Sequence, residues 1–408
     1  MVTLLSTQIG QSMNLQNSYV SNYSINPAFK VSREPLRIES EKLKKFNLVI
    51  GLSREPISNK AIKESKELLG DIFQQLLDQK LDKYEREFIK GLHTEILNYL
   101  DSEFIFRAKL KKPKFDDPNS KALRDSAFFY SELSESTRSK ILKLSDSQVK
   151  IFRERAQAGL LKRTDLSINE GKVVVKISKL IDKDFRSQGI FDLVSDYVGI
   201  KYTFTGVSLE LSVAGSTWWK NSIQGSTPPR TMYAHLDESI YAPKAIVYLS
   251  DVGPNNGPTS SYPGVYDSLN NNPLQDIIGR VVGRVGNNSE SILFDYYAKS
   301  YHQSMGSIKF REHFMMLPES LRFNSHFGWD ILADSELEGV ISDREEVMLG
   351  GPGKFVVFDG SRLLHRGGLI EEGERLVLQV VFWPRIPITK RAAQISKAII
   401  RKFRLRNN

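Results

Sequence analysis

Apolar positions recur along this chain with two periods, and the change of period divides it. In residues 60–77, Leu68, Leu69, Ile72, Phe73, Leu76 and Leu77 make one stripe at spacings of three and four. That spacing predicts an amphipathic helix, with Ser58 as its N-cap. Asp82 followed by Glu85 reads as a capping box. Phe88, Leu92, Ile96 and Leu100 then share the face of a second helix, antiparallel to the first. Residues 1–40, rich in Asn and Ser, read as a loosely held arm. Residues 41–160 read as a helical N-terminal region, interrupted by a Pro- and charge-rich linker at 109–121.

Beyond residue 160 the apolar runs are shorter. Residues 171–179 (GKVVVKISK) are expected to form a strand, and 182–198 a helix with Phe185, Ile190, Phe191, Val194 and Val198 inward. Residues 202–213 alternate as a strand does, leading to Trp218 and Trp219. Residues 243–252 (PKAIVYLSDV) read as a buried strand, followed by a turn at 253–257 and the piece NGPTSSYPG at 256–264. The apolar run 354–358 closes on Asp359-Gly360, a turn dipeptide. His365, a Gly367-Gly368 turn and the second apolar run 376–383 follow. The whole reads as α+β. Residues 161–385 form one unit, carrying an insertion at 270–345 with helical pieces around 274–285 and 289–301.

Composition changes this picture in three places. With no Cys there is neither a disulfide nor a thiolate metal site, which suits a reducing interior and leads us to expect a cytoplasmic protein. The first residues lack a basic stretch followed by a long apolar run, so no secretory signal is expected. The net charge of +9 is local: residues 385–408 carry eight Lys or Arg and no acid, leaving the other 384 residues at +1. A near-neutral body argues against a domain that tracks phosphates over its whole surface. The tail reads as a basic amphipathic helix. Ala392, Ile395, Ile399 and Phe403 share one face, and Lys390, Lys397, Arg401 and Arg404 lie opposite. Through residues 389–406 it suits an anionic membrane surface or an acidic partner, or it docks on the body with its charges solvated.

The chemistry-bearing residues are few. The run AHLD is expected to lie in a strand, where residues i and i+2 project from one face, so His235 and Asp237 stand together. His365 from a distant strand completes a set of two imidazoles and one carboxylate, the open facial site of non-haem Fe(II) oxygenases. His365 and Arg375 stand ten residues apart at the ends of adjoining strands; an Arg there has an anion to hold, because its planar fork pairs with a carboxylate. His93 sits beside a helical stripe and reads as an ordinary helix His. His302, His313 and His326, with Trp329, fall in the insertion without ligand spacing.

On HLD, NGPTSSYPG and GKFVVFDGSRLLHRGG…ERLVLQVVF, residues 171–384 resemble the Fe(II)/2-oxoglutarate-dependent oxygenases, most closely the phytanoyl-CoA dioxygenase-like branch. The resemblance implies a double-stranded β-helix, a jelly-roll or cupin-like core with flanking helices. It also implies that His235, Asp237 and His365 bind Fe(II) and that Arg375 pairs with the far carboxylate of 2-oxoglutarate. Tyr248 would be a pocket wall beside that co-substrate. One carboxylate and Fe(II) leave +1, which favours an anionic co-substrate. O2 is then consumed, succinate and CO2 are released, and a substrate C–H is hydroxylated. The presence of Asp237 favours hydroxylation over the halogenation of relatives that lack the carboxylate. The family's nucleic-acid demethylases carry a second Arg where this chain has Val381, so the expected substrate is a small molecule, lipid or glycan. Many members have a polar residue where this chain has Gly367. The alternatives are a catalytically silent binding module and a cupin-like sugar-modifying enzyme.

Overall fold

The structure is a computed structural model. It describes residues 34–51, 55–114, 117–162, 164–215, 234–237, 240–268, 271–285, 308–322, 336–368 and 370–384. The expected N-terminal arm up to residue 33, the basic tail, Trp218, Trp219, the helical piece at 289–301, His302, His326 and Trp329 lie outside the described residues.

The N-terminal layer is built from α1 (Ser40–Ile50), α2 (Asn59–Leu77) and α3 (Lys83–Arg107). Ser58 caps α2, its side chain accepting from the Ala61 amide. The capping box of α3 is reciprocal: the Asp82 amide donates to Glu85 and the Glu85 amide to Asp82, both at 2.8 Å. The predicted stripes are the buried faces, with Leu69, Ile72, Phe73, Phe88, Leu92 and Ile96 all in one core. His93 stacks on Phe73 in that layer with ring centroids 4.8 Å apart, and burial lowers its pKa.

Next come α4 (Pro118–Ser126), β1 (Phe128–Glu132), α5 (Glu135–Gln157), β2 (Ser167–Ile168), α6 (Lys172–Ser187) and α7 (Ile190–Val198). Two readings are corrected here. Residues 172–179 belong to a helix, not a strand. Val174, Ile177, Ile181 and Phe185 are buried at helical spacing, whereas Val175, which an alternating strand would bury or expose together with Val173, is 52% exposed. The β-branched triplet suggested a strand, but packing of a whole face overrides local propensity. The helix expected over 182–198 is two helices, broken where Gly189 takes a positive φ of 71°. Within the region read as helical, residues 128–132 form a strand that pairs with residues 354–358.

The remaining strands are β3 (Tyr202–Val213), β4 (Lys244–Tyr248), β5 (Thr259–Tyr262), β6 (Glu346–Met348), β7 (Lys354–Phe358), β8 (Leu364–Arg366) and β9 (Glu374–Pro384). Between β5 and β6 lie α8 (Val265–Ser268), α9 (Pro273–Val285), α10 (Ile308–Met315) and α11 (Glu336–Ser342). All pairings are antiparallel. One sheet has the order β1-β7-β4-β9-β3-β2 and the other β6-β5-β8.

The alternation along the central strands sets what each face of the larger sheet does. Ala245, Val247, Phe355, Val357, Leu378 and Val380 pack with α6 and α7 residues such as Ile177, Phe185 and Val194. The intervening residues of β4, β7 and β9 face the other way. There Tyr248, Val356, Phe358 and Val377 share a second core with Met348 of the smaller sheet. The Tyr248 hydroxyl ties the two sheets together, donating to the Met348 carbonyl at 2.8 Å and accepting from the Thr259 amide at 2.9 Å. By the same alternation Lys244 and Arg375 belong to this second face. Among the described residues no helix is long and apolar enough to cross a membrane.

Candidate metal centre

His235 and His365 meet through their backbones before their side chains do anything. The His235 amide donates to the His365 carbonyl at 2.9 Å and the His365 amide donates back at 3.1 Å. This is a single antiparallel bridge, not the regular strand expected around residue 235. On its other side His365 pairs with Ser261 of β5. Two residues on, the Asp237 amide donates to the Gly360 carbonyl at 2.7 Å. The run AHLD is therefore held to β8 at His235 and to the β7–β8 connection at Asp237, and the two side chains point to one place, as the i, i+2 argument requires. His365 and Arg375, expected on adjoining strands, lie on strands of different sheets.

The side chains converge. One ligand atom from each of His235, Asp237 and His365 can be chosen so that all lie within 4.8 Å of one another. His235 Nε2 is 4.0 Å from Asp237 Oδ1, and His365 Nε2 is 3.8 Å from Asp237 Oδ2. The tautomer of His365 follows from chemistry: its Nδ1 lies 2.8 Å from the Leu363 carbonyl, which can only accept. Nδ1 thus carries the proton and Nε2 presents its lone pair to the cluster, as in metal-binding histidines held by a backbone carbonyl. Burial lowers the His365 pKa against the opposing effect of Asp237, the direction that favours the ligating form of the ring.

Asp237 is 6% exposed, and its Oδ2 is buried without a hydrogen-bond partner. A buried carboxylate oxygen left unpaired costs roughly 1–3 kcal/mol or more; a cation at this position would satisfy it. The other oxygen is occupied. Lys244 Nζ donates to Asp237 Oδ1 at 2.6 Å. Burial alone would raise the Asp237 pKa, but the Lys244 ammonium beside it overcomes this and holds the group well below the usual carboxylate range. Gly360 belongs to the same packing: a Cβ there would come within 1.9 Å of Asp237 Oδ2 and 3.0 Å of His365 Cε1. The turn is fixed by Asp359, which accepts from the Ser361 hydroxyl at 2.6 Å and from the Tyr197 hydroxyl at 2.7 Å.

Lys244 and Gly360 are functional candidates that the sequence reading passed over. Lys244 falls within the run 243–252, read as a buried strand, and Asp359-Gly360 reads as a turn dipeptide. Replacing Lys244 by Met is expected to destabilise the metal-free protein by about 2 kcal/mol, because it leaves the buried Asp237 charge without its counter-ion. Added divalent cation should restore most of that loss. Urea midpoints with and without chelator check it; equal midpoints for both proteins in chelator would show that Lys244 is no partner of the carboxylate.

Arg375 is buried, with Nη1 donating to the Gly257 carbonyl at 2.6 Å and Nε buried without a partner. Among the described residues it forms no ion pair. Burial lowers its pKa, while Tyr248 and Glu210 act the other way. A buried guanidinium with an unsatisfied N–H is a site for an anion. Tyr248 is fully buried close enough to Arg375 for their charges to interact. Its hydroxyl is engaged between the sheets, so toward a ligand it offers its ring. His313 lies 5.6 Å, centroid to centroid, from Phe88 and is not one of the clustered residues. His235, Asp237 and His365 are the one group among the described residues able to hold a metal ion.

Three solved structures that align with part of this chain are the following. The non-heme alpha ketoglutarate dependent carbocyclase SnoK from nogalamycin biosynthesis aligns at 12% identity over 67% of this chain and 87% of its own, with a TM-score of 0.33. EctD from S. alaskensis with 2-oxoglutarate and 5-hydroxyectoine aligns at 12% over 67% and 79%, with a TM-score of 0.35. A Pseudomonas putida prolyl-4-hydroxylase aligns at 10% over 65% and 97%, with a TM-score of 0.29. Likeness at this level assigns no activity, which has to be argued from the residues of the centre. No family model and no curated protein matches the chain.

Proposed function

We propose that this protein is a non-haem Fe(II)- and 2-oxoglutarate-dependent dioxygenase that hydroxylates an unactivated C–H bond of a small-molecule, lipid or glycan substrate. The observation that carries this reading is the convergence of His235, Asp237 and His365, whose ligand atoms lie within 4.8 Å of one another around a buried, unpartnered carboxylate oxygen. Two neutral imidazoles and one carboxylate, all hard or borderline donors, suit Fe(II) and leave positions open for co-substrate and O2. When bound, iron and 2-oxoglutarate would supply the oxidation, with release of succinate and CO2. The two antiparallel sheets, tied by Tyr248, are read as the double-stranded β-helix. The phytanoyl-CoA dioxygenase-like branch remains the nearest in motif.

The protein's own contribution is charge and position. With Fe(II), Asp237 and Lys244 together the centre carries +2, one more than the three ligands and the metal give. That balance suits a dianion such as 2-oxoglutarate. Arg375 would take its far carboxylate through the unsatisfied Nε, with Nη1 kept in place by the Gly257 carbonyl.

The test is succinate production from 2-oxoglutarate with Fe(II), read without knowledge of the substrate as uncoupled turnover. Activity dependent on both is expected. Arg375→Ala should raise the apparent KM for 2-oxoglutarate by about 100-fold, the order of a lost charge-assisted pair, with a smaller change in kcat. An unaltered KM would remove Arg375 from its assigned role, and no succinate from the wild type at any 2-oxoglutarate concentration would sink the reading.

A further inference from the structure

The ligand-bearing segments are held together by a residue that approaches them from the insertion. Arg280, on α9, is 3% exposed. Its Nε and Nη2 form a fork-to-fork pair with the two oxygens of Asp276, both at 2.9 Å. Two further hydrogen bonds leave the same guanidinium. Nη1 donates to the Asp237 carbonyl at 3.2 Å, and Nη2 donates to the Ser361 carbonyl at 3.1 Å. Asp237 carries one ligand itself. Ser361 follows Gly360, whose carbonyl binds the Asp237 amide, and leads through the Asp359 turn to His365. One buried guanidinium therefore spans both halves of the centre.

Asp276 makes this arrangement possible. A buried guanidinium bonded only to two carbonyls would be an uncompensated charge, costing several kcal/mol. The bidentate carboxylate neutralises it and orients the plane, and the Tyr266 hydroxyl donates to Asp276 at 2.8 Å. The pair is in turn set by the helical layer. Leu274, Ile277 and Ile278 of α9 lie in the same core as Phe46 of α1 and Phe88 of α3, and the Leu274 amide donates to Asn47 at 3.1 Å. Leu236 and Leu364, which flank ligands in sequence, are in that core as well.

We propose that Arg280, oriented by Asp276, is a positioning residue that holds the Asp237 and Ser361 segments at the separation the metal requires. Through α9 the N-terminal helical layer then sets the affinity and geometry of the centre. The proposal rests on the metal reading above. Lys at position 280 keeps the charge but cannot pair bidentately with Asp276 and still reach both carbonyls.

The experiment uses the full chain with Co(II) alone, whose visible absorption reports ligand geometry. Arg280→Lys is expected to bind Co(II) 10- to 100-fold more weakly, the range for an outer partner of a ligand, with an altered spectrum. Circular dichroism should remain that of the wild type. Wild-type affinity and spectrum in folded Arg280→Lys would overturn the proposal. A second measurement needs no variant. Linkage is reciprocal, so Co(II) binding to the wild-type chain should slow amide exchange in α9 as well as in 235–237 and 360–366. Slowed exchange in the ligand segments with α9 unaltered would overturn it too. Failure of the wild type to bind Co(II) at all would instead remove the metal reading on which it stands.

Discussion

Asp237→Ala is expected to abolish succinate formation while the chain stays folded. Asp237 is the only anionic donor of the cluster, and its loss does more than remove one ligand. Lys244, now paired at 2.6 Å, would be left facing two imidazoles with its charge uncompensated. A divalent cation entering that space would lose the attraction of the carboxylate, which in the wild type offsets the repulsion from Lys244. For unit charges about 4 Å apart at an effective dielectric of about 20, each such interaction is worth about 4 kcal/mol. Allowing for the 19% exposure of the Lys244 side chain, a loss of on the order of 1,000-fold in metal affinity is a cautious expectation. Asp237→Asn should behave the same way, since it keeps the shape and loses the charge. His235→Ala removes a neutral donor and should lose activity with a smaller fall in affinity. Co(II) titration and a succinate assay measure both effects, with circular dichroism to report the fold. Succinate turnover surviving in Asp237→Ala would end the oxygenase assignment.

Much of this site could be read before any coordinates, and the reason is local. His235 and Asp237 are two apart, so any extended backbone presents them together. Arg375 sits at the head of a run whose apolar character marks it as a strand, whereas His365 lies in a three-residue strand of the smaller sheet that no apolar run announces. The strands β3, β7 and β9, the stripe of α2 and the capping box of α3 are legible on the same basis. What escaped depends on contacts far apart in sequence. Residues 172–179 look like a strand in isolation and are helical because Ile177, Ile181 and Phe185 fill the space behind the larger sheet. The short strand at 128–132 exists because β7 offers it an edge. Lys244 is one charged residue among many until the fold brings it to Asp237. Arg280 lies in an amphipathic helix with nothing in its spacing to show that it reaches two carbonyls 43 and 81 residues away. Spacing reveals which residues share a face; only the assembled fold reveals what that face meets.

Gly360→Ala should be nearly as damaging to the centre as loss of a ligand, although it removes no functional group. A methyl at this position would lie 1.9 Å from Asp237 Oδ2 and 2.7 Å from its Cγ, with His365 Cε1 at 3.0 Å. The carboxylate cannot simply turn aside. Its Oδ1 is held by Lys244, and the Asp237 amide is anchored to the carbonyl of Gly360 itself. The His365 ring is fixed by the Leu363 carbonyl and braced against Phe358, with ring centroids 4.8 Å apart. Relief therefore requires Asp237 to leave the position from which it faces both imidazoles. We expect Co(II) affinity to fall by about 100-fold or more, beyond the usual effect of an outer partner. Stability in chelator should drop by about 1–3 kcal/mol from overpacking. A double-mutant cycle isolates the cause. Once Asp237 is already Ala, the added methyl has no carboxylate to displace and most of its stability cost should vanish, leaving a coupling energy of about 1–2 kcal/mol. If the methyl costs the same in both backgrounds, the strain lies in the turn and not against the ligand. If Gly360→Ala binds Co(II) as the wild type does, the carboxylate is not packed against Gly360 in the metal-bound state, and the shape of the centre drawn here is wrong.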